Sequence, residues 1–159
     1  MSRTTRATQF LTQAKIAHSV HSYDYAPGGE RVGLQAADAL GELPARVLKT
    51  LMIELDGRPA CAVIPSDREL SMKKVAAALG GKSAQMMKPA DAERITGYHV
   101  GGISPFGQKK RLPLAFERDA LAEDQVYING GQRGLQVRLA PGDAATALDA
   151  VVAPLTVTA

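Results

Sequence analysis

Apolar residues recur along this chain in two alternating rhythms. Ala7, Phe10, Leu11 and Ala14 fall at helical spacing, which predicts a first helix over residues 4–15. Residues 18–25 and 46–55 read as strands, and the Pro- and Gly-containing stretch 26–30 as a loop. Residues 34–40 predict a short helix that Gly41 ends. Asp56-Gly57 marks a turn into a second strand, residues 60–64, so this pair is a hairpin candidate. Met72, Val75, Ala76 and Leu79 then form a helical stripe behind a Ser71 cap, with Gly80 and Gly81 as the stop. Pro89 suits the first turn of another short helix, ended by Gly97. Strands are predicted at 112–117, 125–129 and 134–139, the last two joined by the turn-prone run 129–134. A closing helix is predicted over residues 142–152. Many short strands among segregated helices indicate an α+β fold, not a wound parallel sheet. No repeat or low-complexity linker interrupts the pattern, and 159 residues fit one domain spanning residues 1–159.

Composition narrows the function classes. Aromatics are 4% of residues and Trp is absent, which argues against the stacking platforms that hold single-stranded bases. The formal net charge of +3 permits contact with nucleic acid without demanding it. A single Cys excludes an internal disulfide and fits a reducing compartment. The N-terminus runs into an amphipathic segment and not an apolar one, and no stretch is apolar enough to span a membrane. The expected location is therefore the cytoplasm.

Two segments carry the candidate chemistry. In Gly101-Gly-Ile-Ser-Pro-Phe-Gly-Gln-Lys-Lys110, glycines and a proline allow a sharp turn and close approach of a ligand, and Arg111 extends the basic run. Backbone N–H groups of such a segment suit a carbonyl oxygen that gains negative charge, although a plain surface turn has the same composition. In Val47-Leu-Lys-Thr-Leu-Met52 one lysine, Lys49, stands inside an otherwise mostly apolar run. A strand lysine either snorkels to solvent or serves a pocket, because burying its charge without a partner is costly. Lys109, Lys110 and Arg111 read equally as solvated surface or as a contact to a nucleic-acid backbone. Tyr23 reads from the residues alone as a half-buried strand aromatic.

Several familiar catalytic devices are missing. His18 and His21 are three apart in a strand pattern and point to opposite faces, with no second Cys or acidic neighbour, so no zinc site is expected. His99 lies close to the glycine loop, with nothing to fix a role. Cys61 sits in an apolar strand as a small core residue. Ser104 precedes Pro105 with no visible base to activate it, and neither a nucleophile elbow nor a phosphate loop is present.

The segments 46–51, 96–111 and 127–135 resemble the YbaK family of Cys-tRNA(Pro) deacylases, free-standing relatives of the editing domain inserted into bacterial prolyl-tRNA synthetases. The likeness runs over nearly the whole chain. It implies a mixed, mostly antiparallel, partly closed β-barrel flanked by helices, acting without metal or cofactor on aminoacyl-tRNA. Lys49 takes the position of the family's main functional side chain, thought to orient the terminal adenosine and the ester. The segment around Gly101 and Gly102 takes the charge-stabilising role, with Pro105 fixing the loop. Tyr23, Thr50, Ile103, Ser104, Asn129 and Gly130 complete the implied substrate-binding set. Asn129 stands where many relatives carry Ser, and Gln136 where some carry Asp, which bears on amino-acid preference. The implied route is substrate-assisted: the cysteinyl thiol attacks its own ester and leaves as a thiolactone. The implied activity is removal of Cys from mischarged tRNA(Pro), with prolyl-tRNA synthetase as a second partner. An editing hydrolase for Ala or another small amino acid, or a non-catalytic module that binds tRNA or the synthetase, remain the alternatives.

Overall fold

Asp56 and Gly57 both take positive φ, 50° and 79°, the conformation a two-residue hairpin turn requires. They join β2 (Leu48–Leu55) to β3 (Arg58–Pro65), paired antiparallel without interruption from Leu48↔Pro65 to Leu55↔Arg58. Around this hairpin the computed structural model describes residues 4–25 and 32–157. The loop expected at 26–30 lies outside the described residues.

The remaining strands are β1 (Ser19–Ser22), β4 (Ala84–Met86), β5 (Leu114–Glu117), β6 (Val126–Asn129), β7 (Leu135–Leu139) and β8 (Val151–Ala153). They form a three-stranded sheet in the order β1-β7-β6 and a five-stranded sheet in the order β4-β2-β3-β5-β8. β5 runs parallel to β3 and β8 parallel to β5, while the other pairs are antiparallel. The two sheets pack face to face. Leu48, Met52, Cys61, Val63, Leu114 and Phe116 from one meet Val126, Ile128, Val137 and Leu139 from the other. An isolated parallel bridge, Val47↔Tyr127, ties them along one side. The result is the α+β, partly closed barrel expected from the sequence.

Among the described residues five helices flank the sheets: α1 (Arg6–Gln13), α2 (Val32–Leu40), α3 (Met72–Ala78), α4 (Pro89–Thr96) and α5 (Pro141–Ala147). Their limits follow local chemistry. Thr5 caps α1 through a reciprocal pair of hydrogen bonds with Thr8, and Ser71 accepts from the Lys74 N–H at the start of α3. Gly97, at φ 84°, ends α4. Val75 of α3 packs on the outer face of the five-stranded sheet with Ile53, Ala62, Ile64 and Leu155.

Three expectations need correction. The helix predicted over 142–152 ends at Ala147, because Asp149 turns the chain at φ 52° and Val151–Ala153 continue as β8 along β5. Two β-branched residues in that run favour the extended state. The strand expected from residue 46 begins at Leu48, since Pro44–Arg46 form a single tight helical turn. The strand expected from residue 112 begins at Leu114. β4 lacks a sequence signature. It exists because the β2 edge at Ile53–Leu55 pairs with Ala84–Met86.

Candidate functional site

β4 covers the edge of β2 from Ile53 onward, which leaves the start of β2 beside an opening. A cavity of about 720 Å³ occupies this place, within the range of small-molecule sites. Lys49 and Thr50 both line it. In a regular strand they point to opposite faces, and the ladder to β3 is unbroken. A cavity lying along an open edge reaches both faces, so no irregularity is needed.

The second wall is the glycine loop. Val100, Gly101 and Ile103 line the cavity. The Gly102 N–H donates to His99 O at 2.8 Å, and Gly101 sits at φ 91°. This is a four-residue turn over 99–102 of the type II kind, whose third position needs positive φ and therefore glycine. A Cβ at Gly102 would lie 2.8 Å from the Arg133 N, so the turn rests directly on the β6–β7 loop. The Gly102 amide closes the turn, and the Gly101 N–H has no acceptor among the described residues.

The floor comes from the three-stranded sheet. Asn129 and Gln136 are paired across β6 and β7, and both line the cavity. The Asn129 side chain braces the loop: Nδ2 donates to Gly101 O at 3.1 Å, and Oδ1 accepts from the Gly131 N–H at 2.7 Å. Gln136 is 2% exposed, and its Oε1, like the buried Thr50 Oγ1, has no hydrogen-bond partner among the described residues. Both atoms carry almost no accessible surface, so they are sealed behind the wall, and leaving them unpaired there is costly.

The third wall was not legible in the sequence. Ser66, Asp67, Arg68 and Glu69, directly after β3, also line the cavity. Arg68 pairs with Asp119 at 2.7 Å, which raises the guanidinium pKa and lowers that of the carboxyl. Leu34 and Met86 complete the rim, and Met86 is 49% exposed. The abrupt polar run after an apolar strand was the available signal.

The other expected site residues lie elsewhere. Tyr23 is buried beside Ala36, Ala37, Val47 and Tyr127. Burial pushes its phenol pKa up, opposed in part by nearby Gln136. Gly102 is buried under the turn. Ser104 is fully buried, and its Oγ accepts from the Phe106 N–H. Pro105 lines a separate cavity of about 170 Å³ with Cys61, Gln108, Lys110 and Arg111. Gly130 is buried and accepts a hydrogen bond from Thr5 Oγ1. Burial pushes the Cys61 thiol up to about 12, so it is protonated at neutral pH. No group of three His, Cys, Asp or Glu among the described residues is arranged to hold a metal. No helix among them is long and apolar enough to cross a membrane.

The fold and the sequence both have known relatives. A crystal structure of a candidate trans-editing enzyme for prolyl tRNA synthetase superposes with a TM-score of 0.80 over 96% of each chain, at 22% identity. EbsC of Enterococcus faecalis, named as a candidate Cys-tRNA(Pro)/Cys-tRNA(Cys) deacylase, is 34% identical over 86% of this chain and 84% of its own. The Escherichia coli multifunctional Ser/Thr-tRNA deacylase ProXp-y is 30% identical over 52% of this chain, which spans 50% of that protein's length. The model of the aminoacyl-tRNA editing domain matches residues 31–147, and with this coverage the chain belongs to the aminoacyl-tRNA editing domain family.

Proposed function

We propose that the protein is a trans-editing deacylase that removes Cys from mischarged tRNA(Pro). The observation that carries this reading is that Lys49 and Gly101, far apart in sequence, line one cavity. The name of the E. faecalis relative supports the substrate.

In the proposed reaction Lys49 orients the terminal ribose and the ester. The cysteinyl sulfur attacks the ester carbonyl carbon. A C–S bond forms, the C–O bond to the ribose breaks, and the thiol proton ends on the freed ribose hydroxyl. Negative charge that develops on the carbonyl oxygen is met by the Gly101 N–H, fixed in place before the reaction begins. Ser104 and Cys61 lie outside this cavity, and the Ser66 hydroxyl that lines it donates a hydrogen bond to Val47 O and has no histidine or other base hydrogen-bonded to it among the described residues to activate it. Prolyl-tRNA synthetase is the proposed partner that supplies tRNA choice, because the chain has few features for reading bases.

The test is loss of the acyl group from Cys-, Ser-, Ala- and Pro-tRNA(Pro) with purified protein. Cys-tRNA(Pro) is cleared rapidly and the others barely, because a hydroxyl is a much poorer nucleophile than a thiol near neutral pH. Clearing of Ser- or Ala-tRNA at the same rate would instead establish a small-amino-acid hydrolase with water as nucleophile. The name of the E. coli relative favours that second reading. Failure to clear any substrate would leave a non-catalytic binding module.

A further inference from the structure

We propose that Arg133 is a positioning residue that locks the Val100–Gly101 peptide in the one orientation that aims the Gly101 N–H into the cavity. This inference rests on the reading above and extends it to a residue outside the cavity wall.

A type I and a type II turn differ chiefly in the direction of the central peptide unit. Here that unit is Val100 C=O with Gly101 N–H. In a planar trans peptide the C=O and N–H point to opposite sides, so holding one end sets the other. Arg133 Nε donates to Val100 O at 2.8 Å, a charge-assisted bond of the stronger kind. The preceding peptide is held as well, because the Val100 N–H donates to Glu93 Oε2 at 2.8 Å. That bond, more than nearby His99 or Arg133, keeps the Glu93 carboxyl below its usual pKa. Val100 is thus gripped on both sides by groups of opposite charge from α4 and the β6–β7 loop.

Arg133 is itself held. Its guanidinium lies over the Tyr25 ring, 5.6 Å from the centroid. Its backbone N sits under Gly102, where a Cβ would come within 2.8 Å. A Cβ on Gly101 would meet Tyr25 Oη at 2.8 Å and Arg133 Nε at 3.3 Å. Arg133 and Tyr25 therefore back Gly101. Arg133 takes Val100 O on that side, and the Gly101 N–H points away from it. Without Arg133 the peptide is free to rotate and present a carbonyl oxygen, an acceptor, where the reaction needs a donor.

The experiment has two arms. The first uses no substrate: the residual dipolar coupling of the Gly101 N–H, which reports bond orientation, is measured in wild type, Arg133→Ala and Arg133→Lys. In Arg133→Ala this coupling collapses or changes sign, while the couplings of β2 and β3 amides are unchanged. The second arm follows Cys-tRNA(Pro) clearance. Arg133→Ala lowers kcat by about tenfold to a hundredfold with KM nearly unchanged, less than the roughly 10²–10³ for losing the donor outright, because the amide is misaligned and not removed. Arg133→Lys, whose ammonium still reaches Val100 O, recovers most of both signals. An unchanged coupling in Arg133→Ala overturns the lock. A changed coupling with unaltered kcat overturns the positioning role. If wild type clears no Cys-tRNA(Pro), the proposed function falls, and the coupling still decides the lock.

Discussion

Gly101→Ala is the most informative single substitution. At φ 91° an L-residue carries a backbone cost of about 1–3 kcal/mol. The new methyl also meets Tyr25 Oη at 2.8 Å and Cζ at 3.2 Å. The turn can relieve both by rotating its central peptide, but that breaks the bond from Arg133 to Val100 O and withdraws the Gly101 N–H from the cavity. Stability therefore falls by roughly 1–3 kcal/mol, and kcat falls by about 10²–10³, the usual consequence of losing one such donor. Gly57→Ala is the matched control. Gly57 has φ 79° with nothing near its would-be Cβ, so it carries a similar backbone cost far from the cavity. The assay pairs urea unfolding with single-turnover clearance of Cys-tRNA(Pro). Both variants lose stability and Gly101→Ala alone loses activity. Wild-type kcat in a folded Gly101→Ala protein would refute the assignment of this amide.

Lys49→Ala abolishes clearance while circular dichroism and the melting profile remain those of a folded protein; activity near wild type removes Lys49 from the mechanism. Lys109→Ala with Lys110→Ala weakens tRNA binding and flattens the log-log salt slope by about two, leaving amino-acid preference intact; an unchanged slope in a filter-binding titration rules out this basic run as a phosphate contact. Cys61→Ala leaves clearance intact, because the thiol lies outside the large cavity. The same variant changes alkaline stability: the folded thiol ionises at about 12 against 9.0 when exposed, so its contribution is fully present below pH 9 and lost as pH rises toward 12. Roughly 1 kcal/mol per pH unit of that loss disappears in Cys61→Ala, as urea titrations at pH 8 to 10.5 read directly.

The elements readable from sequence were those closed by local chemistry. Ser71, Gly97 and the Asp56-Gly57 turn each carry their own cause, and the structure places caps and turns there. β4 and β8 were not readable, because each is a three-residue edge strand that exists by pairing with a distant neighbour. The helical rhythm of the Ala-rich stretch from residue 144 ran on past Ala147, and only the turn at Asp149 breaks it. The site divides in the same way. Lys49 and the glycine turn stand out because a charge in an apolar run and a cluster of glycines are local anomalies. Ser104 and Gly130 are their sequence neighbours or motif partners, yet they lie in the interior, since a loop's direction is set by what it packs on. Arg133 was visible as part of a motif, but its bond to Val100 depends on the close contact of two loops at Gly102.

The Val47↔Tyr127 bridge joins the two sheets at one rung. The cavity takes Lys49 and Thr50 from one sheet and Asn129 and Gln136 from the other, so its width is the spacing between two separately braced slabs. Substitutions at Val47 or Ile128, both buried and outside the cavity lining, can change that spacing without touching a bound molecule. Selectivity for acyl groups that differ by a single atom can therefore drift among descendants of this chain through buried aliphatic changes, while every residue in contact with the substrate stays the same.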